Sequence, residues 1–361
     1  MFCLGIESTA HTLGIGIAQY TGSTGKKAAG AQGRLHKSKP IPIKPGHLSI
    51  LSNCLDMYRP VREGIVPRKA ADHHQQVFSD ILCGALDKAG VKLGEIDLFA
   101  FSRGPGIGQC LRVSCAGAKY LAAKCGKPII GVNHCQAHLA VSKWHCGFVD
   151  PLYLYVSGGN TQIIKEIGGH VADGRANPAC GFGASCYQVL GETLDIGIGN
   201  LFDGFGRAMG LKHAHGSAVA KAAEGGKYVE LPYTVKGTNM AFSGLLTASQ
   251  KLLARHSKKD VAYSLMETAF AVVCEATERA AYLEKKRELV VCGGVAQNLR
   301  LCSMLESLCA QNNWKFGVAS PELNRDNGAM IALTGLKNHL EGERLPMKGA
   351  KPDQNWRIDS S

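Results

Sequence analysis

Long apolar runs are missing from this chain of 361 residues. No stretch approaches about 18 uninterrupted apolar residues, so hydropathy offers no membrane-spanning helix. No basic leader stands ahead of the first strand-like segment, "MFCLGIE", which argues against a cleaved targeting signal. Its fourteen cysteines contain no CxxC pair. Their neighbours are mostly apolar, as in "FCLGI" and "LVVCGG", and read as buried free thiols in a reducing compartment, cytoplasmic or also nuclear. Acidic residues are also in deficit, with 29 Asp+Glu against 41 Lys+Arg and a formal net charge of +12. That balance favours a polyanionic partner, nucleic acid first. The glycine-rich turns match neither the GxGxxG order of a dinucleotide site nor the GK[ST] ending of a P-loop.

What is present is an internal echo. "FCLGIESTAHTLGIGIA" near the start and "LYLYVSGGNTQII" at 152–164 each read as two apolar strands joined by a small, polar tip. The tips are Ser8-Thr9 in the first and Ser157-Gly158-Gly159-Asn160-Thr161 in the second. After each hairpin the chain alternates strand and helix, as in "IDLFAFSRGPG" with "LRVSCAGAKYLAAKCG" and "ELVVCGGVAQN" with "LRLCSMLESLCAQ". This predicts two tandem α/β lobes whose hairpin tips clamp anionic oxygens through exposed backbone N–H groups. Residues 261–282 predict a long amphipathic helix that serves the core. Two segments, 21–46 and 168–186, have the glycine-rich composition of loops or insertions, and the tail after Leu340 is polar and expected to fray.

Several positions carry possible chemistry. In "VNHCQAHLA", His134 and His138 lie four apart, on one face of a helix. Two imidazoles alone are more often structural than metal-binding, because a metal site needs three or four protein ligands. No Glu stands between them, so the general base of an HExxH protease is missing. Asp326 precedes an apolar helix, where spacing alone reads it as an N-cap. As a third ligand it would complete a His/His/Asp set suited to Fe(II) or Zn(II). Asn298, after "VVCGGVAQ", is a helix cap or a ligand contact, and Glu192, Asp195 and Asp203 lie among glycines as caps or as holders of ribose or magnesium.

Taken together, "GIESTAHT", "EGIVPRKAADHH", "FSRGPGIGQCLRV", "KPIIGVNHCQAHL", "LYVSGGNTQII", "GETLDIGIGNLFD", "LPYTVKGTNMAFSGLLTA", "CGGVAQNLRL" and "DNGAMIALTGL" resemble the TsaD/OSGEP family. The matches run in order along nearly the whole chain. "LPYTVKG" and "AFSGLLTA" look most like its archaeal and eukaryotic branch, the KEOPS catalytic subunit. The resemblance implies an α/β, two-lobed actin/Hsp70/sugar-kinase-like (ASKHA) fold with duplicated ribonuclease-H-like halves. An N-terminal lobe would cover 1–141, a C-terminal lobe 142–325, and a C-terminal helix with a polar tail, 326–361, would pack back toward the cleft.

The implied activity is transfer of a threonylcarbamoyl group from threonylcarbamoyl-AMP to N6 of the tRNA adenosine beside the anticodon. Carried over position by position, the implied metal ligands are His134, His138, Tyr155 and Asp326. The implied substrate-holding positions are Tyr155, Val156, Ser157, Gly158, Gly159, Asp203, Gly216 and Asn298. No catalytic base is implied. The cofactors would be one divalent ion, iron or zinc, and an adenine nucleotide, as the donor or as ATP or ADP. The partners would be tRNA and other KEOPS subunits, including a small kinase/ATPase and a dimerising subunit, with no membrane. One departure stands out: where the family reads "HPGGPxxE", this chain reads "HAHGSAVA", so Ala220 replaces an acid expected at the substrate edge. An ATPase or kinase of the same fold, a metalloprotease and a non-catalytic scaffold are the alternative readings.

Overall fold

A computed structural model describes residues 1–22, 47–59, 65–167, 186–212 and 214–359. The expected loop segments 21–46 and 168–186 lie almost wholly outside the described residues. The chain divides into two units. The first comprises Met1–Val141, Ile167–Cys186 and Asp326–Ser361, and the second Ser142–Glu166 and Tyr187–Arg325.

In the first unit the opening hairpin is β1 (Phe2–Glu7) and β2 (Thr12–Tyr20), paired antiparallel from Phe2↔Gln19 to Glu7↔Gly14. Strand β3 (Leu48–Met57) continues antiparallel on β2. Helix α1 (Pro67–Ala89) takes Pro67 in its first turn, where the missing N–H costs nothing, and ends at Gly90 in the left-handed region. Strand β4 (Leu98–Gly104) returns parallel to β1, α2 (Gly108–Cys125) crosses over, and β5 (Ile129–Asn133) lies parallel to β4. The sheet order is β3-β2-β1-β4-β5. Every residue of β5 is buried, as expected of a parallel strand covered on both faces. Helix α3 (His134–Cys146) starts directly from its end.

The second unit repeats this plan. Strands β6 (Leu152–Val156) and β7 (Thr161–Ile167) form the second hairpin, with β8 (Cys186–Glu192) beside it. Helices α4 (Ile198–Ala208) and α5 (Gly216–Ala223) follow, then the short ribbon β9 (Val235–Lys236) and β10 (Asn239–Met240). Helices α6 (Ser243–Leu252) and α7 (Lys258–Leu283) lead to β11 (Glu288–Cys292), α8 (Leu299–Gln311), β12 (Lys315–Val318) and α9 (Pro321–Asn324). Strand β11 runs parallel to both β6 and β12, and the order β12-β11-β6-β7-β8 mirrors that of the first sheet. This is the duplicated α/β plan expected of the ASKHA class. The predicted amphipathic helix is α7, capped by Ser257, whose hydroxyl accepts the Asp260 N–H. Its face packs into the core, where Phe270 meets Phe202 edge-on at 5.5 Å.

The chain then returns to the first unit as α10 (Gly328–Leu340), which lies on β1 and β2. The approach is close because glycine faces backbone: a Cβ on Gly16 would stand 2.4 Å from the Ala329 nitrogen, and one on Gly328 2.3 Å from the Gly16 nitrogen. The tail departs from expectation. Instead of fraying, it is tied along the first unit: Asp353 N–H donates to the Arg103 carbonyl, and Gly106 N–H to the Gln354 carbonyl. Arg103 lies over the Trp356 ring at 5.0 Å. Polar composition misled here, because a tail can be held through its backbone and one ring. The expected free thiols are found at Cys3, Cys110, Cys274 and others, but Cys186 is disulfide-bonded. Among the described residues no helix is long and apolar enough to cross a membrane.

Candidate metal centre and substrate-binding elements

Helix α3 places the two histidines. Asn133, the last residue of β5, accepts the Cys135 and Gln136 N–H groups on its Oδ1 at 3.0 and 3.3 Å. This satisfies donors that the first turn otherwise leaves orphaned. The Asn133 amide donates to the Trp356 carbonyl at 3.1 Å, joining the tail to the start of α3. His134 and His138 then fall on one face, with ring centroids 4.7 Å apart and planes at 86°.

Asp326 meets them from far along the chain. Spacing read it as the cap of α10, but that cap is Asn327, whose side chain accepts the Met330 N–H at 2.9 Å. Asp326 Oδ1 instead lies 3.3 Å from His138 Nε2 and 3.5 Å from His134 Nε2. These spacings are a test of metal fit. Four ligands at about 2.0–2.1 Å in a tetrahedron are separated by roughly 3.3 Å. The donor atoms of His134, His138 and Asp326 all lie within 4.8 Å of one another, and two nitrogens with one carboxylate oxygen suit zinc or iron. The residues fit the ion.

Electrostatics of the three are coupled. Burial alone would lower the His134 pKa, but the Glu7 and Asp326 carboxylates outweigh it and raise it to about 9. Burial lowers that of His138, only partly offset by the bond to Asp326. For Asp326 burial works upward, and the two histidines override it and hold the carboxyl below its usual range. A divalent ion would replace the shared proton as the counter-charge.

The first hairpin tip does not serve as an anion cradle, contrary to expectation. Ser8 and Thr9 are buried. Ser8 N–H donates to Ser102 Oγ at 3.0 Å, and Ser8 Oγ donates to the Cys110 carbonyl and accepts the Ser114 N–H. Thr9 N–H donates to Glu7 Oε1 at 2.6 Å, and the other Glu7 oxygen lies 3.1 Å from His134 Nδ1. Thr9 Oγ1 is 3.3 Å from the same nitrogen. Buried His74 holds the tip through its Nε2 and the Ala10 carbonyl, 3.1 Å apart, and burial lowers its pKa. Sequence reasoning missed Glu7 and Thr9; an acid ending an otherwise apolar strand, "FCLGIE", was the available signal.

The second unit carries the other predicted positions. Tyr155 and Val156 are buried at the end of β6. The tip after them is open: Gly158 and Gly159 are exposed, and a Cβ on Gly159 would meet nothing within 4 Å. Helix α4 is seated on this tip, with Asn200 N–H donating to the Gly158 carbonyl at 2.9 Å. Asp203 on α4 and Gly216 at the start of α5 come together, the Gly216 N–H bonding the Asp203 carboxylate. Burial raises the Asp203 pKa, and His215, Arg207 and that bond oppose the rise. Ala220 packs on α5 against the apolar core. Asn298 is a cap: its Oδ1 accepts the Arg300 and Leu301 N–H groups at the start of α8. Gly293 has φ 95°, and a Cβ would stand 2.4 Å from the Val156 carbonyl oxygen. Glu192 and Asp195 are structural bonders, Asp195 accepting from the Ile196, Phe242 and Ser243 N–H groups.

Comparison with known proteins adds a family. Residues 49–333 match the model of TsaD, described as tRNA N6-adenosine threonylcarbamoyltransferase. A protein of that name from Thermococcus kodakarensis is 42% identical over 99% of this chain and 98% of its own length. One from Archaeoglobus fulgidus is 42% identical over the same shares. A "Probable bifunctional tRNA threonylcarbamoyladenosine biosynthesis protein" from Methanocaldococcus jannaschii is 41% identical over 99% of this chain but only 59% of its own length. Among solved structures, T. kodakarensis HypF aligns over 94% of this chain and 48% of its own, with TM-score 0.56 and 13% identity. That likeness concerns the fold alone.

Proposed function

The chain belongs to the TsaD family of tRNA N6-adenosine threonylcarbamoyltransferases, and from that membership we propose that it moves a threonylcarbamoyl group from threonylcarbamoyl-AMP to N6 of the tRNA adenosine beside the anticodon. The observation that carries this reading is the convergence of His134, His138 and Asp326 at metal-ligand spacing. A bound iron or zinc ion would supply Lewis acidity toward the donor's oxygens. His134, His138 and Asp326 would hold it.

The chemistry asks little covalent help from the protein. The donor is a mixed anhydride whose leaving group is AMP, so the adenine amine attacks the carbamoyl carbon without a protein nucleophile. Positioning the two reactants supplies most of the advantage. Exposed Gly158 and Gly159 suit anionic oxygens, since no side chain blocks their N–H groups. Asp203 with Gly216 suits the hydroxyls of the ribose. Ala220 offers no carboxylate there, so ribose recognition rests on fewer groups than in the family pattern.

The net charge of +12 serves the tRNA backbone. Partner subunits, among them a small kinase/ATPase and a dimerising subunit, belong to the same proposal. The test is to incubate the chain and its partner subunits with unmodified tRNA and threonylcarbamoyl-AMP, then analyse the nucleosides by mass spectrometry. Modified adenosine that disappears with His134→Ala supports the reading. No modified adenosine with all subunits present overturns it.

A further inference from the structure

Glu7 is not among the metal or substrate ligands, yet it is fully buried and ends β1 one residue before the first hairpin tip. A buried carboxylate without partners would be costly, so its bonds reveal what it is for. One oxygen accepts the Thr9 N–H at 2.6 Å, within its own tip. The other faces His134 Nδ1 at 3.1 Å, across 127 positions of sequence. The tip that supports it is itself fastened, through Ser8 to Ser102, Cys110 and Ser114, and through Ala10 to His74. So Glu7 cannot follow a turning imidazole; the imidazole must settle on Glu7.

We infer that Glu7 is the positioning residue of the metal centre, fixing the His134 ring and its tautomer from the side opposite the ion. A carboxylate only accepts, so the proton of neutral His134 resides on Nδ1. Nε2 then carries the lone pair, and it is Nε2 that lies 3.5 Å from Asp326 Oδ1 on the ligand side. Outer partners of this kind orient a ligating histidine and raise its basicity, and their loss typically costs about 10–100-fold in metal affinity. The hairpin tip expected to grip phosphate is instead a buried clamp behind the ligand.

This inference rests on His134, His138 and Asp326 binding a metal, and the experiment separates the two. The full chain, stripped with a chelator, is titrated with Co(II) for its absorption spectrum and with Zn(II) against a chromophoric competitor. Wild type, Glu7→Gln, Glu7→Leu and Ser8→Ala are compared, each checked for native melting without metal. Ser8 touches the same tip but not His134, and so controls for damage to the tip. Expected is a loss of affinity of about 10-fold in E7Q, which keeps one acceptor, and about 100-fold in E7L, with an altered Co(II) spectrum in both. S8A, which loses two bonds of the tip but keeps the Ser8 N–H bond to Ser102 and both Glu7 contacts, loses less affinity than either Glu7 variant. Wild-type affinity and spectrum in both Glu7 variants overturn the role of Glu7 alone, whereas a wild-type chain that binds neither ion overturns the metal site as well. Should the Glu7 variants not fold, ¹⁵N imidazole shifts of zinc-loaded wild type decide. They support the inference if His134 is protonated at Nδ1 and metallated at Nε2, and overturn it if reversed.

Discussion

Replacing Gly16 with alanine should damage both stability and the metal centre, through one displacement. Gly16 lies in β2 beneath the first turn of α10, and a Cβ there would stand 2.4 Å from the Ala329 nitrogen and 2.6 Å from its Cα. Ordinary contacts of a Cβ begin near 3.4 Å, so helix and strand must separate by about 1 Å. The obstructing atoms are backbone and cannot rotate aside. The cost therefore falls at the upper end of the range for overpacking, about 3 kcal/mol. For a unit of this size that lowers Tm by roughly 6–12 °C. The same shift carries Asp326, two residues before α10, away from His134 and His138. Metal ligands tolerate only about ±0.2 Å, so zinc affinity should fall at least about tenfold. Scanning calorimetry and a zinc competition titration measure the two effects. Gly94→Ala is the control, since a Cβ there meets nothing within 4 Å. A G16A protein that melts with G94A and binds zinc as wild type does would refute the reasoning.

Asn133→Ala removes both the cap of α3 and the tie to Trp356, and should cost about 1–2 kcal/mol in denaturant unfolding; Asn133→Asp, which keeps the cap, should recover most of it. Asp195 would be raised by burial, but bonds from Phe242, Ser243 and Ile196 outweigh this and lower it to about 2. Its folded pKa lies below the unfolded one, so its contribution is present above about pH 4 and is lost as pH falls toward 2. Asp195→Asn should therefore flatten the dependence of Tm on pH in that window, and an unchanged slope would count against it. Burial raises the thiols of Cys110 to about 11 and Cys274 to about 12, whereas Cys83 is exposed. A thiol reagent near neutral pH should therefore label Cys83 well before either, as peptide mapping would show.

Local pattern was enough for the elements. Alternating and continuous apolar runs located both hairpins and the strand–helix units that follow, because each strand buries residues at fixed short spacing. The i, i+4 spacing put His134 and His138 on one face for the same reason. Mispredictions occurred where the outcome depended on distant partners. Spacing made Asp326 the cap of α10; in the folded chain Asn327 caps, and that releases Asp326 toward α3.

Composition made Ser8 and Thr9 an open tip like Gly158 and Gly159, but the two tips have different surroundings. The first is covered by the β4–α2 junction and α3 and spends its polar groups inside; the second leaves its glycines exposed. The tail looked frayed because its bonds are made by backbone, and backbone is the same in every sequence. Sequence alone therefore determined which residues could carry the chemistry, since that follows from side-chain type and short-range period. Tertiary structure decided which of them meet, since contacts across a hundred residues or more are set by how closely strand and helix backbones pack. At Gly16 and Gly328 that closeness depends on the absence of a single Cβ.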